Sequence, residues 1–472
     1  MGPDSVLFNV AQTEYDLVGE AGRAVQWRLS YKDSDKWDVC WVDAGIAPEF
    51  LIRMKPYQKV NHFPGMQTLA HKDLLAGLMR DMKSKLPLHY DFCPSTWLLP
   101  QDYADLLREF DGKATFIVKP GAQSQGRGIF LAQKLGAIPL GAHYVVQRYI
   151  DPPFLLDGLK FDLRLYVLVA GCDPLRVFLH TQGLARFATE RYQPPQTLNL
   201  ETVCMHLTNY AINKESRKFI FNLDQRRDDI GHKRSLAAVL RRLAALGHDT
   251  AALWQRLSAL VAKTLCSVQP PLAHVYRRCQ PLDPADSLCF EVLGLDVLLD
   301  SDLRPWLLEV NSEPSFAADT PLDRAIKHQV LTDALKLLEV SVEHRQSYFA
   351  LLQDRSYQQV VRNKEDSKTK RLLRLRQDGV AARRDQRARG GFQQLLPCEQ
   401  YQECLEAAQT LWHARRRKRG KPTPDPLPRK EAPRRLPRAK SLFKSASESQ
   451  VRREGAFLKP VTLKIGLIGH RA

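Results

Sequence analysis

The chain has 472 residues, 44% hydrophobic and 26% charged, with a formal charge of +18; that is enough for two or three domains with sizeable cores. No apolar run reaches the ~18–20 residues of a membrane span, Asp4, Glu14, Asp16 and Glu20 interrupt any secretory leader, and Pro3 and Val6 do not suit a myristoylation signal. Nine cysteines without a close CxxC pair point away from zinc or a disulfide framework, and Cys204 and Cys289 read as buried thiols of a soluble intracellular protein.

Residues 1–40 carry little periodicity. Val39–Val42 reads as the first strand, Lys55–Met66 as a loop closed by Pro64-Gly65, and the spacing predicts a helix over 71–83. Phe116–Lys119 and Ile129–Ala132 are short β-rich runs around a glycine-bearing turn, and Tyr144–Ile150 and Phe161–Ala170 are further apolar strands. Leu236, Val239, Leu240 and Leu243, then Leu253, Leu257, Leu260 and Val261, keep helical spacing. Val292–Leu299 and Trp306–Val310 read as a hairpin turned at Asp300-Ser301-Asp302. The expected body over residues 40–340 is therefore α/β.

Four constellations carry chemistry. In Lys119–Ile129 a strand delivers a lysine into a turn where Gly126 and Gly128 let backbone approach a phosphate and Lys119 and Arg127 supply charge. An ordinary hairpin with a solvated lysine would read the same, and no GK[ST] makes it a Walker loop. Lys160, Asp162 and Arg164 alternate along one strand face, which a salt-bridged sheet also explains. His206-Leu207-Thr208-Asn209-Tyr210 alone reads as a turn. Asp296, inside an apolar strand, is costly if unpaired. Across the hairpin Leu307, Glu309 and Asn311 share a face by period two, and a suitable register sets Glu309 and Asn311 beside Asp296. Oxygen ligands of this kind favour Mg²⁺, although an edge strand with one solvated carboxylate remains an alternative.

These pieces, in this order, together with Lys59-Val60-Asn61-His62-Phe63-Pro64-Gly65 and Gln147-Arg148-Tyr149-Ile150, resemble the tubulin tyrosine ligase-like family over about 55–340. The resemblance implies an ATP-grasp fold, with ATP between two sheet-bearing lobes and a carboxylate activated as an acyl phosphate that an amine attacks. By motif, Lys119, Gln125, Gly126, Arg127, Gly128 and Ile129 would hold phosphates, and Gln147, Arg148, Tyr149 and Ile150 would line adenine. Lys160, Phe161 and Asp162, with Thr208 and Asn209, would complete the nucleotide site. Asp296, Glu309 and Asn311 would bind Mg²⁺, with Glu309 also catalytic. Arg186 would clamp the incoming amino acid's carboxylate, near Tyr210, Ala211, Lys233 and Lys327. Ala211 stands where relatives often have serine, which weakens the reading of the amino acid. Lys, Arg and Mg²⁺ can stabilise the anionic transition state without a covalent nucleophile, and no Ser/His/Asp triad is evident.

The charge is not evenly spread. Residues 341–472 hold 31 Lys and Arg against 13 Asp and Glu, so residues 1–340 are neutral. Lys364–Arg389 reads as a basic, helical segment interrupted at Gly379, and Pro422–Pro437, with six prolines, as disordered. The expected organisation is a catalytic core over 1–340, a basic helical extension over 341–420 and a Pro/basic tail over 421–472. A basic extension after such a core resembles the family's microtubule-binding segment, with acidic tubulin tails as partner; a solvated helix is the plainer alternative. Nucleic acid fits less well, since no aromatic stacking platform accompanies the charge. The expected function is an ATP- and Mg²⁺-dependent tubulin polyglutamylase using free glutamate, monomeric, cytoplasmic and microtubule-associated, with cilia or basal bodies as candidate places. A tubulin glycylase and a catalytically silent microtubule-binding protein are the alternatives; intact Lys119, Asp296, Glu309 and Asn311 argue against silence.

Overall fold

The computed structural model describes residues 5–418 apart from 33, 35, 111–113, 121–127, 140, 142, 225, 282, 284–287, 339 and 354–389. Three sheets organise it. Leu7–Gln12 (β1), Arg28–Ser30 (β2), Val39–Val42 (β3) and Lys59–Val60 (β4) form a parallel sheet in the order β2-β1-β3-β4. Its first two strands and the helix Asp16–Ala24 lie where the sequence showed no clear pattern.

Thr96–Leu99 (β5), Phe116–Pro120 (β6), Phe130–Ala132 (β7) and Tyr144–Arg148 (β8) build an antiparallel sheet, β5-β8-β6-β7. Phe116, Val118 and Val146 give it a small core of its own with Leu99 and Leu106. The largest sheet follows the path β12-β11-β10-β13-β14, from Leu159–Cys172 (β10), Leu175–Phe187 (β11), Lys233–Ser235 (β12), Glu291–Leu299 (β13) and Pro305–Asn311 (β14). The short strand Leu155–Leu156 (β9) joins β10, and Phe392–Leu396 (β15) joins β11.

Period two sorts the large sheet's side chains. Leu163, Leu165 and Val167 of β10, with Leu293, Leu295 and Val297 of β13, pack with Leu253, Leu257, Leu260 and Val261 of the helix Thr250–Cys279. On the opposite face Tyr166, Leu168 and Val292 meet Val330 and Leu331 of the helix Pro321–Leu337, Phe8 of β1 and Val18 of the helix Asp16–Ala24. Each such side chain, fully buried, contributes ~1.5–3 kcal/mol. The mixed α/β fold with two sheet-bearing lobes matches the expectation.

The stretch expected to be a helical extension contains a core strand. β15 pairs antiparallel with Val177–His180 of β11, and Leu395, Leu396, Tyr401, Cys404 and Ala408 join the main core, the last three at the start of the helix segment Glu399–Lys418. Gly390 (φ +54°) and Gly391 lead into it, and a Cβ on Gly391 would lie 2.7 Å from the His180 ring. The basic run Lys364–Arg389 and the Pro-rich tail lie outside the described residues, apart from the helix ending at Lys418. Cys289 is buried and Cys204 half-buried, and no helix among the described residues is long and apolar enough to cross a membrane.

Candidate active site

The antiparallel register turns one face of the large sheet into a ladder of charges. Arg186 stands opposite Asp162, Arg164 opposite Asp296, and Asp296 opposite Glu309. The register anticipated for the β13–β14 hairpin is the one observed, and it leaves Asn311 opposite Gly294. Along β10 this face carries Lys160, Asp162 and Arg164, then becomes apolar at Tyr166 and Leu168.

Asp162 and Asp296 are buried, Glu309 is half-buried, and the three are unequally served. Arg186 grips both oxygens of Asp162, Nε to Oδ1 and Nη2 to Oδ2 at 2.6 Å each, and Nη2 also lies 2.7 Å from Asp296 Oδ2. Arg164 donates to Asp296 through Nε at 2.5 Å and Nη2 at 3.0 Å. Burial alone would raise Asp296, but Arg164 and Arg186 hold its carboxyl well below the usual range. Glu309 goes the other way: burial and the neighbouring Asp296 raise it, and the Asn311 amide donates to its Oε1 at 3.3 Å.

A cavity between this face and the small antiparallel sheet gathers most of the expected nucleotide residues. From the small sheet and the segment after it come Lys119, Ile129, Gln147, Arg148, Tyr149 and Ile150; from the large sheet come Lys160, Asp162, Arg186, Asp296 and Glu309. Thr208 and Asn209 close one side, and Thr208 Oγ1 donates to Asp162 Oδ2 at 2.5 Å. Lys119 Nζ donates to Gln147 Oε1 at 2.9 Å, and Lys160 Nζ to the His206 carbonyl at 2.9 Å while covering the Tyr149 ring at 3.9 Å. Burial lowers Lys119 to about 8 despite Glu309, and Lys160 to about 7 despite Asp162.

The other expected residues differ in where their side chains go. Phe161 faces the opposite side of β10 and stacks on Phe187 at 5.1 Å, so its side chain belongs to the core. Arg148 lines the cavity but reaches Glu109 at the surface, 3.3 Å away. Arg186 turns its fork into Asp162 rather than leaving it free for a carboxylate, because a buried acid needs a cation. Gln125, Gly126 and Arg127 fall outside the described residues, and Gly128 follows them in the left-handed region, φ +67°. Tyr210, Lys233 and Lys327 form a separate group next to the cleft, with Lys233 Nζ 3.6 Å over the Tyr210 ring and Lys233 opposite Arg186 across β11–β12. Ala211 is half-buried in the one-turn helix Tyr210–Asn213.

With this geometry in hand, comparison with known proteins is decisive for the family. The model of the tubulin-tyrosine ligase family matches residues 50–348. The chain belongs to that family. It is 45% identical over 409 residues to a probable beta-tubulin polyglutamylase of Tetrahymena thermophila, covering 84% of this chain and 34% of that protein. It is 40% identical over 414 residues to tubulin polyglutamylase ttll6 of Danio rerio, covering 86% and 52%, and 43% identical over 337 residues to tubulin polyglutamylase TTLL6 of Mus musculus, covering 71% and 40%. The chain thus spans about a third to a half of the length of these relatives.

Within this member of the tubulin-tyrosine ligase family, sequence reasoning gave no site role to three residues that the site uses. Arg164 shares the alternation of Lys160 and Asp162, and its position opposite Asp296 makes it that acid's main partner. His206 receives Lys160 on its carbonyl and the Tyr149 hydroxyl on Nδ1 at 3.2 Å; burial and Lys160 push its ring down to about 4. Asp323 binds Lys233 at 2.5 Å, and the signal that could have found it is its place four residues before Lys327 on a helix.

Proposed function

We propose that this chain is an ATP- and Mg²⁺-dependent ligase that joins free glutamate to glutamate side chains of tubulin tails. The observation that carries this reading is the pair of buried lysines, Lys119 and Lys160, whose hydrogen bonds go to neutral oxygens and whose charge burial therefore disfavours. A triphosphate chain passing between them supplies the missing anion, and the cavity walls from two sheets suit a flat base. The acid pair fits a divalent cation in the same way. Asp296 is kept ionised, Glu309 is pushed up by burial and by Asp296, and the Asn311 amide stands beside Glu309. A bound Mg²⁺ would supply positive charge to these acids and to phosphate oxygens.

On this reading Lys119 and Lys160 hold the phosphates in line while Arg164 and Arg186 keep the acid face from repelling them. A tail carboxylate takes the terminal phosphoryl group, ADP leaves, and the amine of glutamate displaces phosphate to form an isopeptide bond. Lys233 and Lys327 beside the cleft favour a second carboxylate on the incoming amino acid, which glutamate has and glycine lacks. Tubulin and microtubules are the proposed partners, with a cytoskeletal location and the basic segment after the core as the contact for acidic tails. The test is mass spectrometry of tubulin after incubation with the protein, ATP, Mg²⁺ and either glutamate or glycine. Added mass in steps of glutamate supports the reading. Glycine steps would move it to a glycylase, and no added mass with either would leave a microtubule-binding protein.

A further inference from the structure

At the edge of the cleft, two ammonium groups share one buried carboxylate. Asp323 has 0% exposure, in the first turn of the helix Pro321–Leu337, where its backbone N–H donates to the capping Thr320 hydroxyl at 3.2 Å. Its Oδ2 accepts from Lys233 Nζ at 2.5 Å, and its Oδ1, which has no hydrogen-bond partner among the described residues, lies 4.0 Å from Lys327 Nζ. Lys327 is steadied by the Ala317 carbonyl at 2.5 Å, and Lys233 by the face of Tyr210 at 3.6 Å. Lys233 is also the cross-strand neighbour of Arg186, so this group continues the charge ladder of the sheet outward.

The charge count has a consequence. Among the described residues, two buried ammonium groups against one buried carboxylate leave a single positive charge without a buried counter-ion. Asp319 also acts on both lysines but is exposed and screened by water. Such a remainder matches one carboxylate.

We propose that Asp323 is a positioning residue that fixes the Lys233 and Lys327 ammonium groups and leaves one net positive charge between them, and so sets the demand for a side-chain carboxylate on the incoming amino acid. This rests on the reading that these lysines face that amino acid. Without Asp323, two lysines would share a buried site with Arg164 nearby and the Tyr166 and Tyr210 hydroxyls around them. Burial already holds Lys327 at about 8, with Asp323 and Asp319 raising it and Lys233 and Arg164 lowering it. Loss of Asp323 therefore lets Lys327 give up its proton at lower pH.

The experiment is steady-state ligation with glutamate as the varied substrate, for the parent chain and for Asp323→Asn, Asp323→Glu and Lys327→Ala, between pH 6.5 and 9. Asp323→Asn is expected to raise KM for glutamate about tenfold with kcat nearly unchanged, and to make KM climb from a lower pH than in the parent. Asp323→Glu, which keeps the charge, should raise KM by only about threefold at pH 7. If Asp323→Asn does not fold, Asp323→Glu carries the test, and an unchanged KM in that variant overturns the proposal. A parent-like KM and pH profile in Asp323→Asn, or a loss confined to kcat and melting temperature, overturns it as well. Lys327→Ala separates the levels: a raised KM there with a normal Asp323→Asn removes only the role of Asp323. A normal KM in Lys327→Ala removes the lysine reading and this proposal together.

Discussion

Two acids, half-buried Glu309 and buried Asp333, show how differently one fold treats its charges. Asp333 Oδ2 accepts from Gln329 at 2.9 Å, from the Gly391 backbone at 2.8 Å and from His180 at 3.2 Å. Burial would raise Asp333, but these donors outweigh it and its carboxyl lies below the usual range. Glu309 has one weak amide donor and an acid neighbour, and is raised. Asp333 is a structural charge that ties the start of β15 to β11. Glu309 keeps unfilled capacity for a ligand. A fold that violates its own electrostatic preferences at one place marks where function is kept.

Substitution should separate the two. Glu309→Gln is expected to cost several kcal/mol of transition-state stabilisation, seen as ligation at least a hundredfold slower. Its melting temperature should hold or rise at neutral pH. A carboxyl whose folded value lies above its unfolded value disfavours folding once pH exceeds the unfolded value, and the amide removes that penalty. Near-normal ligation by Glu309→Gln would break the contrast at its functional end.

Asp333→Ala should do the reverse, losing about 3–5 kcal/mol of stability while surviving folded enzyme keeps its KM for nucleotide. Differential scanning calorimetry with nucleotide titration reads both. Gly390→Ala is a milder version: its new Cβ would run into the Asp333 carboxylate, and its φ of +54° already disfavours a side chain. A loss of about 1–3 kcal/mol is expected, with limited proteolysis opening near residue 390 first. An unchanged melting curve would show that β15 is not held at this point.

The smallest effect is expected outside both regions. Arg383, Arg384 and Arg387 belong to the basic run, and their joint change to Glu should weaken microtubule co-sedimentation several-fold at low salt and less at high salt. Binding indifferent to both charge and salt would end the electrostatic account of that segment.

Legibility in the sequence followed the same division. The alternation of Lys160, Asp162 and Arg164 was readable because period two is local, and the Asp296–Glu309 register because the turn at 300–304 is short. β15 was not readable: five residues, Phe-Gln-Gln-Leu-Leu, carry no strong pattern, and their partner strand lies far earlier in the chain. The N-terminal strands β1 and β2 escaped for a related reason, since their parallel pairing is set by contacts outside each segment. Asp323 was hidden because its partner Lys233 is 90 residues away. The grip of Arg186 on Asp162 could not be foreseen either, because motif spacing places a guanidinium without saying which acid will hold it.

The central claim is that Lys119 and Lys160 are buried cations awaiting phosphates, and proton uptake on nucleotide binding tests it directly. Their free values lie at about 8 and 7, and an adjacent triphosphate raises both. Binding is then strongest below pH 7 and weakens as pH rises through 7 to 9, by up to about tenfold per unit for each lysine. Isothermal titration calorimetry of ATP in two buffers of different ionisation enthalpy, with Mg²⁺ omitted, measures the protons taken up. The account predicts net uptake that grows as pH rises from 7 to 9 and is reduced in Lys160→Met. ATP binding with no proton uptake between pH 7 and 9 would contradict it.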